Sequence, residues 1–143
     1  MRKDVQDVMT SNPKCCTPEA ALQDVARLMV ENDCGCIPVV DGNESMKPIG
    51  TITDRDIVCR TVAEGKNPLE LTANEALTSH CVTIPRTAKL EQCLDLMEQN
   101  RIRRILVTDD FGRCCGIISQ ADIALSVDKK KTGEVVQEVS QHV

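Results

Sequence analysis

The chain has 143 residues and a formal net charge of −5, which arises from 17 basic and 22 acidic residues. This acidic balance argues against a nucleic-acid-binding protein, which usually presents a basic stripe to the phosphate backbone. Phe111 is the only aromatic residue, so the chain lacks side chains on which bases could stack. Any bound base must therefore be held by aliphatic side chains.

The sequence shows no membrane or secretion signal. No run of eighteen or more apolar residues occurs, and the polar N-terminal segment lacks the apolar core of a signal peptide. We therefore expect a cytoplasmic protein that binds neither membrane nor nucleic acid. The cysteines number nine, and an odd number without a secretion signal does not indicate a disulfide scaffold.

A short strand followed by a helix is predicted near the start of the chain. Leu22, Val25 and Met29 follow the spacing of one apolar helix face. Thr17, followed by Pro18, has the pattern of a helix N-cap and a first-turn proline. We therefore expect the helix to begin within a residue or two of Thr17.

A hairpin and a second helix follow. Apolar runs at residues 36–40 and 49–53 flank a polar turn, which predicts two largely buried antiparallel strands. Thr53, with Asp56 three positions later, predicts the start of a helix that ends near Gly65.

The same elements recur in the second half of the chain. A shift of 68 positions brings ten residues onto identical residues, and after a two-residue slip a shift of 66 brings four more. Two copies of one unit in a chain of this size imply a single body of two similar halves, because neither half alone buries a full core. Function is therefore expected where the halves meet. The matching pairs are Thr10/Thr78, Ser11/Ser79, Ala20/Ala88, Leu22/Leu90, Leu28/Leu96, Met29/Met97, Asn32/Asn100, Ile37/Ile105, Val39/Val107, Asp41/Asp109, Gly50/Gly116, Ile52/Ile118, Asp56/Asp122 and Ile57/Ile123.

The repeat also sets the predicted boundaries. Thr72 and Glu75 predict a one-turn helix in the segment that joins the copies. The C-terminal tail carries three lysines and then valines at roughly helical spacing, so it is either a helix packed on a neighbour or a frayed end. The predicted units are repeat 1 at 8–64, a linker at 65–76, repeat 2 at 77–127 and the tail at 128–143.

A glycine-to-aspartate motif closes each copy and is the strongest signal in the chain. It runs from Gly50 to Asp56 and from Gly116 to Asp122, with a hydroxyl residue three positions before each aspartate. This is the pattern of a capping box, in which the two side chains bind the free amides at the start of a helix. The motif by itself therefore requires no ligand.

The whole arrangement resembles the tandem pair of cystathionine-β-synthase (CBS) domains, also called a Bateman module. The resemblance covers residues 8–127 and is carried by the doubled motif, by Val-Met-Thr at residues 8–10 and by Ile-Pro-Val-Val-Asp at residues 37–41. It implies an α/β (α+β) fold in which two β-α-β-β-α repeats pack sheet to sheet with pseudo-two-fold symmetry.

The resemblance implies a ligand site as well. Paired sheets in this family form a cleft with two sites for adenosyl ligands such as AMP, ATP or S-adenosylmethionine. Asp56 and Asp122 would accept hydrogen bonds from the ribose hydroxyls, and Thr53 and Ser119 would help to hold phosphate or ribose. Elementary chemistry agrees, since a carboxylate can accept both hydrogen bonds of a diol and a helix N-terminus offers amide donors to phosphate.

Two arginines belong to the implied ligand set. Arg55 gives the Asp56 site a cation, whereas the second copy has Ala121 at that position. Arg104 lies next to Arg103 on a predicted strand, so at most one of the two points into the cleft. The alternative for each arginine is a solvated surface charge.

The hairpin residues Ile37 and Pro38 complete the implied ligand set. The second copy has Leu106 where the first has Pro38, and the family usually has proline at this position. This departure weakens the expectation for the second site.

The function implied by the resemblance is that of a non-enzymatic regulatory module. Such a module binds an adenosyl ligand, requires no cofactor and signals to a partner protein, which the sequence does not identify. Family members commonly form homodimers, and we expect a homodimer here. The chain has neither a phosphate-binding loop nor a dinucleotide-binding fingerprint, so ATP hydrolysis and hydride transfer have no support.

Two other hypotheses remain open. In the first, the chain is a ligand-free structural or interaction module whose motifs only cap helices. In the second, it is a thiol or zinc sensor. Cys34 and Cys36 would share one face of an extended segment, but a sulfur-rich zinc site needs two further ligands. The only histidines are His80 and His142, and no CxxC spacing occurs.

Overall fold

The computed structural model describes residues 3–79 and 81–134, which fold into two similar halves. None of the helices among these residues is long and apolar enough to cross a membrane. The last helix continues to Glu134 and so includes the first part of the tail, whereas the four tail valines lie outside the described residues. In chain order the elements are β1 (Thr10–Ser11), α1 (Leu22–Glu31), β2 (Cys36–Val40), β3 (Pro48–Thr53), α2 (Asp54–Arg60), β4 (Thr83–Pro85), α3 (Leu90–Asn100), β5 (Arg104–Thr108), β6 (Cys114–Ser119) and α4 (Gln120–Glu134).

Both hairpins form as the apolar runs predict. In the first, β2 pairs antiparallel with β3, and in the second, β5 pairs antiparallel with β6 in the same register. One face of each hairpin packs on the apolar stripe of the preceding helix, which gives one core in each half. The buried residues of the first core are Cys16, Leu22, Val25, Met29, Ile37, Val39, Ile52, Ala73 and Ala76, and those of the second are Val5, Ile84, Cys93, Met97, Ile105, Val107, Ile118 and Ile123.

Each half is completed by chain from the other half. The segment before the first half joins the second, and the segment before the second half joins the first. Strand β1 joins the second sheet, where Thr10 lies opposite Ile117, so the strand order is β1-β6-β5-β4. In the same way Thr78 forms a bridge with Thr51 on β3 of the first half. The halves have therefore exchanged their leading strands.

The turns that precede these strands are exchanged too. Val5, at the start of a single helical turn, is fully buried in the second core and donates its N–H to Ala88 at 2.8 Å. Ala73 is fully buried in the first core and donates its N–H to Ala20, also at 2.8 Å. Neither core is complete without chain from the other half.

Helix α1 begins later than the sequence predicts. The prediction placed its start near Thr17, but the first helical residue is Leu22 and Ala21 is its N-cap. The backbone just before the helix pairs with the exchanged linker instead, since Leu22 donates its N–H to Leu71 at 2.9 Å and Ala73 donates to Ala20. These long-range hydrogen bonds hold the backbone before Leu22 in an extended conformation.

The two motif glycines, Gly50 and Gly116, allow the exchanged segments to lie close against the strands of each hairpin. A side chain at Gly50 would overlap the carbonyl oxygen of Thr78, and one at Gly116 would overlap the thioether of Met9. Glycine in a strand often marks such a close approach of another backbone. Both glycines are therefore explained by contact between the halves and not by a bound phosphate.

Gly50→Ala should lower the free energy of unfolding by about 1–3 kcal/mol, because the new methyl group meets a backbone carbonyl that cannot move aside easily. Urea unfolding followed by circular dichroism measures this loss. Gly42→Ala is the matched control, since a methyl group there meets only Ser45 at an ordinary 3.5 Å. Equal stability of the two variants would contradict the close contact at Gly50.

Candidate functional site

A large cavity, with a volume of about 580 Å³, lies where the two halves meet. Its walls come from the exchanged leading segment, from the loop between α1 and β2, and from the hairpin and last helix of the second half. Chain from both halves is therefore needed to enclose it. The lining residues are Thr10, Ser11, Asn12, Pro13, Lys14, Asn32, Asp33, Cys34, Gly35, Cys36, Arg104, Ile117, Ser119 and Asp122.

Asp122 stands in this cavity at the start of α4. Its Oδ2 accepts the backbone N–H of Ser119 at 3.0 Å, and the Ser119 Oγ accepts the backbone N–H of Asp122 at 3.0 Å. This is the capping box that the sequence predicts. Among the described residues Oδ1 accepts no hydrogen bond, so the half-buried carboxylate keeps acceptor capacity toward the cavity.

Asp56 forms the equivalent capping box at the start of α2, with distances of 2.9 and 3.1 Å to Thr53. In addition its Oδ2 accepts the hydroxyl of Thr78, 3.5 Å away on the exchanged segment. A second cavity of about 180 Å³ lies in this region, but neither Asp56 nor Thr53 lines it. The two aspartates therefore have unequal surroundings.

Three of the eight residues in the predicted ligand set line the large cavity, namely Ser119, Asp122 and Arg104. Arg104 also lines the smaller cavity. Arg103 lines neither of these two cavities.

The other predicted residues lie elsewhere. Ile37 is buried in the first core and Pro38 is buried beside it in β2. Arg55 is exposed on α2 and, like Thr53 and Asp56, lines neither of these cavities. The residues predicted for the first copy therefore line neither of these two cavities.

Sequence reasoning missed Lys14 and its neighbours in the leading segment. Lys14 is an exposed cation on the cavity wall. The match of Thr10 with Thr78 did indicate that this segment belongs to the repeat. It did not indicate that the segment crosses to the other half, because no local pattern encodes that pairing.

Two thiols face the large cavity. Burial raises the pKa of Cys36 to about 11, although the nearby Arg104 lowers it in part. Cys36 is therefore a neutral thiol at physiological pH. Within residues 3–79 and 81–134, no group of three or more His, Cys, Asp or Glu side chains is placed to hold a metal ion.

The chain matches one known protein family and several known protein sequences. A family model described as the CBS domain matches twice, at residues 5–60 and 73–129. An uncharacterized protein of Methanopyrus kandleri is 32% identical over 136 residues, which are 95% of this chain and 65% of that protein. Hypoxic response protein 1 of Mycobacterium tuberculosis is 31% identical over 119 residues, which are 83% of this chain and 81% of that protein. The chain thus spans just under two thirds of the first relative.

Comparison with solved structures finds proteins of the same fold. Hypoxic response protein I with two coordinated zinc ions matches with a TM-score of 0.75 at 30% identity, over 85% of this chain and 97% of that one. A hexameric CBS-CP12 protein from bloom-forming cyanobacteria matches at 0.74 and 30% identity, over 87% and 67%. The CBS domain pair of protein MJ0100, in complex with 5-methylthioadenosine and S-adenosyl-L-methionine, matches at 0.77 over 91% and 99%. Its identity of 23% establishes likeness of fold alone.

Thr53→Ala and Ser119→Ala should each lower the free energy of unfolding by about 1 kcal/mol, because each removes the side-chain acceptor of a helix cap. Thr17→Ala is the control, since α1 begins at Leu22 and its N-cap makes no side-chain hydrogen bond. Urea unfolding of the three variants tests this. A loss at Thr17 as large as the other two would contradict the observed helix start.

Proposed function

The chain belongs to the CBS-domain family, with one repeat in each half, and from this we propose that it is a non-enzymatic regulatory module that binds an adenosyl ligand in the large cavity. The observation that supports this most is the position of Asp122. Its carboxylate combines spare acceptor capacity with a cavity of a size suited to a small ligand, since such sites typically measure about 300–1,000 Å³.

The ribose would be held by the carboxylate of Asp122, which can accept hydrogen bonds from both hydroxyls of the diol. A phosphate group would lie toward the cations Arg104 and Lys14, which line the same cavity. The N-terminus of α4 adds a positive potential. Adenine would rest on aliphatic walls such as Ile117, because the one aromatic residue, Phe111, is exposed at a hairpin tip and lines neither cavity.

We assign the ligand to the Asp122 side, although the sequence favours the Asp56 side through Arg55 and Pro38. Asp56 lines neither the large cavity nor the 180 Å³ cavity, and its Oδ2 already accepts the hydroxyl of Thr78. The first turn of α2 also carries a second acid, Asp54, which repels phosphate. Asp122 is the only acid in the first turn of α4.

Binding at this site would act on the arrangement of the two halves. The ligand would touch Thr10 to Lys14 of the leading segment on one wall and Ser119 with Asp122 on the other. A ligand shifts a conformational equilibrium by its difference in affinity for the states. A ligand that contacts both halves therefore favours the arrangement that fits it best, and a partner protein would sense that arrangement.

Self-association is part of the same proposal. Exposed aliphatic side chains stand on the outer helices, among them Val58 on α2, which is 57% exposed, and Leu125 on α4, which is 60% exposed. Such side chains are ordinary when isolated, but in a family that associates they are candidates for an interface. We propose a homodimer that buries Val58 and Leu125, on α2 and α4.

Thermal melts against AMP, ADP, ATP, S-adenosylmethionine and NAD test the ligand. At one hundred times its dissociation constant, a ligand should add about 2.7 kcal/mol to the free energy of unfolding, which raises the melting temperature by several degrees. Asp122→Ala should abolish this rise. Asp56→Ala is the matched control, because it removes an equivalent helix cap and should retain the rise.

Two results would contradict the proposal. No shift with any of the five compounds would favour the ligand-free interaction module. A response that Asp56→Ala abolishes and Asp122→Ala retains would move the site to the first half.

Sedimentation velocity tests the dimer. The double variant Val58→Glu with Leu125→Glu should sediment as a monomer. Dimerisation would then bury two unpaired carboxylates from each subunit, which is energetically costly. Val30→Glu on α1 is the control, since Val30 is 82% exposed and outside the proposed interface. A wild-type protein that sediments as a monomer at every concentration would contradict the proposal.

A further inference from the structure

Two cysteines that are distant in sequence meet at the edge of the large cavity. Strand β1 runs along β6, with Ser11 opposite Gly116 and with the N–H of Asn12 donated to Cys115 at 2.9 Å. Asn12 has a φ of 51°, so the chain turns there. The turn carries Cys15 back against Cys114, the first residue of β6.

The pairing of β1 with β6 places the two thiols near each other. They are close enough for each to alter the pKa of the other. The Cys15 thiol also donates to the carbonyl of Pro13 at 3.3 Å, and the Cys114 thiol approaches the carbonyl of Gly116 at 3.8 Å. Cys114 is only 6% exposed, whereas Cys15 is half-buried and reachable from solvent. Both are free thiols.

We propose that Cys15 and Cys114 form a reversible disulfide that fastens the leading segment of the chain to the last strand of the second half. The oxidant is a peroxide, here hydrogen peroxide, and the reductant is a low-molecular-weight dithiol. The bond would join the two halves beside the cavity that both of them line.

The chemistry divides between an attacking and a resolving sulfur. Contact with the Cys114 thiol lowers the pKa of Cys15, although burial opposes this. The same contact, together with burial, raises the pKa of Cys114. Because Cys15 is the thiol that solvent can reach and Cys114 is buried, Cys15 is the sulfur that attacks the oxidant and Cys114 resolves the product.

The steps balance as follows. The Cys15 thiolate attacks one oxygen of hydrogen peroxide, so that an S–O bond forms, the O–O bond breaks and hydroxide leaves to be protonated to water. The Cys114 sulfur then attacks the sulfur of this sulfenic acid. An S–S bond forms, the S–O bond breaks, and the departing hydroxide takes the Cys114 proton as a second water. Two electrons pass from the thiols to the peroxide.

Neighbouring cysteines are poor competitors for this reaction. Cys16 is buried in the first core, and burial raises its pKa to about 11. Cys115 points to the opposite face of β6 from Cys114, and burial raises its pKa as well. Each cysteine of the proposed pair therefore has an adjacent cysteine that serves as a matched control.

The disulfide has a consequence for the cavity. Asn12, Pro13 and Lys14 line it and lie between β1 and Cys15. A covalent bond at Cys15 would fix this short loop at both ends and so change the affinity for the adenosyl ligand. This consequence rests on the proposed function, whereas the disulfide itself does not.

Peroxide titration of the reduced full chain tests the disulfide. Wild-type protein should lose two of its nine thiols to alkylation, and digestion with trypsin should give a cross-linked pair of peptides spanning residues 15–27 and 114–129. Dithiothreitol should reverse both changes. Cys15→Ser and Cys114→Ala should abolish the cross-link, whereas Cys16→Ser and Cys115→Ser should retain it.

Circular dichroism confirms that each variant is folded before it is oxidised. If Cys114→Ala fails to fold, the folded Cys15→Ser variant still decides the outcome, because its cysteine is not fully buried. A cross-link that survives in Cys15→Ser or that disappears in Cys16→Ser would overturn the proposal. So would a product that links two chains, or no loss of thiols at all.

Ligand affinity before and after oxidation separates this proposal from the proposed function. A change of several-fold in the dissociation constant of the reduced protein's best nucleotide would support the coupling, and equal constants would overturn the coupling alone. A protein that forms the disulfide but binds no adenosyl compound in either state would contradict the proposed function and leave the disulfide in place.

Discussion

The reciprocal exchange of leading segments is the constraint on which this structure depends. Thr10 pairs with Ile117 of the second half, and Thr78 pairs with Thr51 of the first. The exchange continues into the cores, where Val5 is fully buried in the second. Burying a valine contributes about 1.5–3 kcal/mol, which is a substantial part of the 5–15 kcal/mol that stabilises a typical domain. Neither half therefore retains a complete core when its partner segment is removed.

The same exchange creates the candidate site. The leading segment crosses to β6, so it faces Ser119 and Asp122 across a cavity that no single repeat could enclose. The residues that cap α4 are also those that face the cavity, which means that a helix cap and a ligand site can share one carboxylate. In the first half the equivalent residue, Asp56, lines neither of these cavities, and its Oδ2 accepts the hydroxyl of Thr78 at 3.5 Å. A symmetric duplication has thus produced two unequal sites.

Local features of the fold could be predicted from the sequence, and features set by distant pairing could not. The hairpins and the capping boxes at Thr53 and Ser119 follow from patterns within a few residues. The start of α1 was predicted too early, because hydrogen bonds to the linker at Leu71 and Ala73 override the local signal at Thr17. The place of Lys14 on the cavity wall and the nearness of Cys15 to Cys114 were missed for the same reason, since both require the leading segment to lie on the other half.

Hydrogen–deuterium exchange with and without the nucleotide that raises the melting temperature most tests the shared cavity directly. If the exchanged segment and the last strand enclose one ligand, backbone amides near residues 10–14 and near residues 117–122 should slow together at the same ligand concentration. Protection that is confined to one of these segments, or that appears around residues 51–56 instead, would contradict a site built by both halves.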